Sequence, residues 1–196
     1  MTPRSATQPL READREAPLP HRQGLLALAF HEAGHAVLHM AYGVHVIDAE
    51  LTVSVDDLGW GGTVNGRVGW LADGVSVWRL TAACAAGQLA QDRFLREAGL
   101  WTPGRAAECE SGAAHDVGIA LDLIATYGPP DACATRTLPT GRSWGTIGAV
   151  AERTVKLLWP QITVVAHALA AHTVLSGDAI AEISGLTNRP NPQLDA

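Results

Sequence analysis

Residues 24–42 (GLLALAFHEAGHAVLHMAY) are mostly strong helix formers and run up to Gly43, so the pattern predicts a helix that stops there. The next stretch, 44–55 (VHVIDAELTVSV), carries β-branched residues in partial alternation and predicts one or two strands. Asp56-Asp57-Leu58-Gly59 reads as a turn, and 60–68 as a glycine-rich extended segment. A second helix is expected over 75–98, where Ala and Gly suit close packing on another helix. Thr102-Pro103-Gly104 marks 100–112 as a loop. A third helix should start near Ser111 and reach Tyr127, stopped by Gly128-Pro129-Pro130. After a polar loop, a fourth covers about 147–158, and a fifth runs from beyond Pro160 to Leu175. Ser176-Gly177-Asp178 breaks it, and a short helix of about 179–183 precedes a polar tail. There are no internal repeats. The expected fold class is mainly α with a small β-sheet: a flexible N-terminal arm (1–22), one folded domain (23–186) and a C-terminal tail (187–196).

Composition narrows the function classes. At 196 residues the chain is about one domain long, and 47% hydrophobic content suits a globular core. With 14 basic against 20 acidic side chains the net charge is −6, which argues against a nucleic-acid binder, whose partner demands a basic footprint. Lys156 is the sole lysine, and the Arg and Ala bias reflects base composition rather than function. Cys84, Cys109 and Cys133 are widely spaced and odd in number, which speaks against a disulfide framework or a thiolate zinc site. Reduced thiols in a cytoplasmic protein are the simpler expectation. Residues 1–22 lack the apolar core of a signal peptide, and the apolar run 25–30 is short. The longest later run, 162–175, is interrupted by His167 and His172 and falls short of the ~20 residues a bilayer span requires. No membrane span is expected.

His31-Glu32-Ala33-Gly34-His35 forms an HExxH pattern inside the first helical stretch. Positions i and i+4 lie about 40° apart on a helix of ~3.6 residues per turn, so both imidazoles project from one face. Two imidazole nitrogens at ~2.0–2.1 Å suit Zn²⁺. Glu32, about a quarter-turn away, is badly placed as a third ligand yet near enough to take a proton from a zinc-activated water attacking a carbonyl. It could then return that proton to a departing amine. Chance on an amphipathic helix is the bland alternative. The flanking Leu26, Leu28, Phe30, Val37 and Leu38, and a small Gly34 where another backbone could approach, count against it. A catalytic zinc needs a third protein ligand and an open position. His39 and His45 stand at the wrong interval and read as ordinary helix-end or surface histidines. Gly112-Ala113-Ala114-His115-Asp116 offers better candidates. Asp116 falls in the first turn of the third helix, where the macrodipole alone would favour a carboxylate, so position leaves both roles open. His115 and Glu108 are reserves.

AFHEAGHAV (29–37) closely resembles the zinc helix of the FtsH family of membrane-bound, ATPase-linked proteases. Gly61-Gly62-Thr63-Val64 resembles that family's strand beside the active-site cleft. Ala86-Gly87-Gln88-Leu89-Ala90-Gln91-Asp92 is similar to its Gly-Gly-Arg-Ala-Ala-Glu-Glu helix. SGAAHDVGIALDLIA (111–125) resembles the helix beginning Thr-Gly-Ala-Ser-Asn-Asp, and 175–183 resembles the closing Leu-x-Gly-Glu-x-x-x-x-Ile element. The resemblance implies a mainly helical zinc metallopeptidase domain over 23–186, with His31, His35 and Asp116 as ligands and Glu32 as base. It also implies a peptide or unfolded-protein substrate and suggests a homo-oligomer; because an isolated peptidase domain cannot itself unfold stable substrates, a separate ATPase partner is an open expectation. The chain departs from the family in having no P-loop, no room for an ATPase and no membrane anchor. Gln88 and Gln91 replace an arginine and an acid, which puts an outer-shell or assembly role for that helix in question.

A peptide is expected to add as a strand along 60–64, where Gly59, Gly61 and Gly62 allow close backbone approach; a simple hairpin or bulge explains these glycines equally well. The six tryptophans are expected mostly in the core, with one or two at the cleft. Competing readings are a catalytically silent binding or regulatory module, a zinc hydrolase of a non-peptide amide, and a closed structural metal site.

Overall fold

In a computed structural model, which describes residues 19–55, 62–127 and 144–191 (side chains of 53–55, 62–66 and 144–146 excepted), the chain is organised around its first helix. Helix α1 (His21–Ala41) starts after Pro20 and ends at Tyr42 and Gly43, whose φ of +81° suits glycine. Every residue of 31–40 is buried, so this half of α1 is surrounded on all sides. One flank is a three-stranded antiparallel sheet of order β2-β1-β3, formed by β1 (His45–Val55), β2 (Gly62–Leu71) and β3 (Val174–Ser176). Helices α2 (Val77–Cys84), α3 (Ala86–Glu97) and α7 (Trp159–His172) supply the other walls. The expectation of a mainly α protein with a small sheet holds.

Several boundaries differ from the sequence reading, each for a local reason. The helix expected over 75–98 is two, broken at Ala85, beside the point where the imidazole of His35 takes the carbonyl of Ala83. The loop expected over 100–112 is mostly helix α4 (Pro103–Gly112). Thr102 Oγ1 accepts the Arg105 amide at 3.2 Å and Pro103 occupies the first turn, so Thr-Pro-Gly is a helix start rather than a loop marker. A turn at Ala113 then separates α4 from α5 (Ala114–Tyr127), which begins later than Ser111. Helix α6 (Trp144–Leu157) begins earlier than expected. The fifth helix stops at His172 instead of Leu175, because Thr173 turns into the left-handed region and 174–176 joins β1 as β3. Helix α8 (Gly177–Ser184) starts at once, capped by Ser176 Oγ on the Ala179 amide.

The main core gathers α1, both faces of the α2–α3 break, α6, α7 and the inner side of β1. A smaller cluster of Ala27, Leu95 and Cys109, with Leu19, Leu100 and Trp101 against it, fastens α4 over the start of α1. Trp78 and Trp159 pack on the main core. Cys84 and Cys109 are free and buried. Among the described residues no helix is long and apolar enough to cross a membrane. The arm up to residue 18, the turn at 56–59, Trp60 and Gly61, the helix stop at 128–130, Cys133 and the tail beyond 191 lie outside the described residues.

Candidate metal centre

Helix geometry sets His31 and His35 one turn apart on α1, their rings 4.8 Å apart and roughly edge to face. Neighbouring elements hold each ring by its outer nitrogen. His31 Nδ1 donates to Gln91 Oε1 of α3 at 3.1 Å, and His35 Nδ1 donates to the Ala83 carbonyl at the end of α2 at 2.8 Å. Both Nε2 atoms are therefore turned to the same point, 3.1 Å from each other. The first turn of α5 brings Asp116 there, with Oδ2 at 3.1 Å from His31 Nε2 and 3.3 Å from His35 Nε2. This group of two imidazoles and one carboxylate can hold a metal ion.

Two glycines make the convergence sterically possible. A Cβ on Gly34 would lie 2.7 Å from the Ala86 carbonyl, so α1 and α3 approach to backbone contact. A Cβ on Gly87 would stand 2.3 Å from His35 Nε2 and 2.6 Å from His31 Nε2, inside the space the two rings occupy.

Three acceptors crowded together draw in positive charge. Burial works against protonating His35, but the hydrogen bond and charge of Asp116, aided by Glu32 and the Ala83 carbonyl, raise it to about 9. Burial likewise opposes ionisation of Asp116, yet its contacts with His31 and His35 hold the carboxyl well below the usual carboxylate range. Glu32 is raised, chiefly by burial, with His35 and His31 pulling the other way.

The group opens into a cleft of about 510 Å³, a size typical of ligand sites. Leu28, Glu32, His35 and His39 form its floor along α1, which places its ends about 16 Å apart on the helix axis. Arg67, Val68 and Trp70 of β2 wall one side, farther along that strand than the 60–64 edge expected from the sequence. Glu108, Cys109 and His115 line the opposite side.

His115 and Glu108 are exposed on that wall and stand outside the three-residue group. His45 lies at the start of β1, bonded to the Arg189 carbonyl. His39 does sit at the helix end, in the last turn of α1, yet it is no surface histidine: it is buried and lines the cleft. Gln91, the Ala83 carbonyl and Gly87 were not singled out as site residues. Gly87 and Gln91 did fall in the 86–92 segment, where the replacement of an acid by Gln91 put an outer-shell role in question; the amide oxygen nonetheless holds His31, and the small-residue run Ala85-Ala86-Gly87 indicates close packing without indicating against what. No family model matches the chain, and comparison with curated proteins gives no match.

Proposed function

We propose that this chain is a zinc-dependent metallopeptidase, with His31, His35 and Asp116 as metal ligands and Glu32 as general base. The observation that carries the proposal is the donor triangle, whose edges of 3.1, 3.1 and 3.3 Å match the ~3.3 Å between ligands of a tetrahedral zinc with bonds of ~2.0–2.1 Å. A closed structural site would have four protein donors; the described residues supply three, next to a cleft. When bound, zinc would supply Lewis-acid activation of water and of a scissile carbonyl.

The chain's own residues supply the rest. Gln91 and Ala83 fix the tautomer of each imidazole, so that neither ring must reorganise to present Nε2. Glu32 is buried on the cleft floor, and its raised proton affinity suits a carboxylate that takes a proton from attacking water and hands it to the leaving amine. β2 is the terminal strand of the described sheet, and Arg67, Val68 and Trp70 of that strand border the cleft, which supports a peptide lying extended along it. A length of about 16 Å takes roughly five extended residues at ~3.3 Å each, which favours an internal segment of a chain as substrate. The FtsH-type resemblance of residues 29–37 points the same way. Substrates on this reading would be peptides or unfolded segments, with stable proteins presented by an ATPase that opens them.

The test is zinc content and casein or peptide-library cleavage for the wild type and Glu32→Gln. Expected are one zinc per chain in both, with cleavage lowered at least ~10²-fold in the variant, a size in keeping with loss of a general base. A wild type that holds stoichiometric zinc but cleaves nothing would replace this proposal with a binding module. A wild type that binds no zinc removes it altogether.

A further inference from the structure

One turn beyond the metal group, the cleft reaches a polar corner that the chemistry above leaves unused. His39 follows His35 by four residues, about 6 Å along the α1 axis. It is 2% exposed, and its ring lies against the Trp70 indole at 5.0 Å between centroids and 26° between planes. Both side chains line the cleft together with Val68. His39 Nδ1 is fully buried and has no hydrogen-bond partner. Buried polar atoms are nearly always paired, and an apolar side chain of similar size would fill this position without leaving one bare.

We propose that His39 and Trp70 form a specificity pocket for an uncharged, hydrogen-bonding substrate side chain: the carboxamide of Asn or Gln, or the hydroxyl of Ser, Thr or Tyr. The inference rests on the peptidase reading and adds to it a preference at one substrate position. An offset of about 6 Å corresponds to roughly two residues of extended chain, so that position lies within two residues of the scissile bond. Burial, assisted by the charge of His35, pushes His39 down to about 3, so its imidazole is neutral and offers one donor and one acceptor. Carboxamides and hydroxyls can each donate or accept, so they can answer whichever role the ring presents to the cleft, and the indole face provides a flat apolar wall. A charged side chain would lose its hydration against the neutral imidazole and the indole face.

The experiment compares zinc-loaded full-length wild type, His39→Gln and His39→Leu on peptides that differ at a single position beside the cleaved bond. The wild type is expected to favour Asn, Gln, Ser, Thr or Tyr there over Leu by about tenfold in kcat/KM, carried by KM, as loss of one hydrogen bond predicts. His39→Gln retains the preference, and His39→Leu reverses it toward Leu and Met. Affinities of the same peptides for zinc-loaded Glu32→Gln, measured without turnover, should follow the same order. If His39→Leu does not fold, Trp70→Leu takes its place, with the expectation that Tyr loses its advantage. A wild type indifferent to that side chain, or variants that slow all peptides equally, overturns the pocket while the peptidase reading stands. Zinc-loaded wild type that cleaves no peptide overturns both.

Discussion

At the scale of single residues, the candidate centre depends as much on an absent atom as on the donors. Gly87 leaves open the space that His31 and His35 fill, and a Cβ there would collide with His35 Nε2 at 2.3 Å. Gly87→Ala should keep the helical fold, since alanine favours helix, while zinc affinity falls ~10–100-fold. Metal content read beside far-UV circular dichroism checks this, and full zinc occupancy in the folded variant would refute it. The raised His35 gives a second prediction. Its proton is held more tightly in the fold than at the usual 6.5, so in metal-free protein it contributes stability that is complete below about 6.5 and is lost as pH rises through about 9. Zinc competes for the same lone pair, so its apparent affinity should climb by up to tenfold per pH unit across that window. Competition with a chelator of known affinity at several pH values would expose a flat response, which would contradict the assignment.

At the scale of elements, packing decides which helices can share a site. Gly34 lets α1 meet α3 through the Ala86 carbonyl and Ala90, and this contact puts Gln91 within reach of His31. Gly34→Val should force the two helices apart and destabilise the fold by about 1–3 kcal/mol, measured by urea unfolding, because a branched side chain there meets the Ala86 carbonyl and the Ala90 Cβ, neither of which can swing aside. An unchanged midpoint would mean that the helices are not held at this distance. The element level is also where the sequence reading was least accurate. Thr102-Pro103-Gly104 carries residues common to loops and to helix starts alike, and only the Thr102 hydrogen bond to the Arg105 amide distinguishes them. β3 was hidden for a different reason. Its three residues follow helix α7 directly, and pairing with β1 rather than any local pattern makes them a strand.

At the scale of the whole molecule, the metal group ties together parts of the chain that are remote in sequence. His31 and Asp116 are 85 positions apart, and the supporting acceptors come from α2 and α3 between them. Bound zinc would therefore act as a cross-link between α1 and α5, stabilising the native state by about 2.7 kcal/mol at a free concentration a hundredfold above its Kd. Thermal unfolding with and without chelator should show a Tm that rises with free zinc in the wild type and stays fixed in His35→Ala. Equal shifts in both proteins would place the ion elsewhere.

The i, i+4 spacing of His31 and His35 and the position of Glu32 were legible in the sequence, because which residues share a helix face follows from 3.6 residues per turn and needs no other part of the chain. Mainly helical architecture was legible too, from propensities that act over a few residues. Position alone left Asp116 with two equal explanations, and the family resemblance was what favoured it. Its distance to both imidazoles, the Gln91 and Ala83 hydrogen bonds, the necessity of Gly87 and the burial of His39 against Trp70 are outcomes of tertiary packing. Small residues such as those at 85–87 permit close approach without specifying what approaches, so the partners are known only once the helices are assembled.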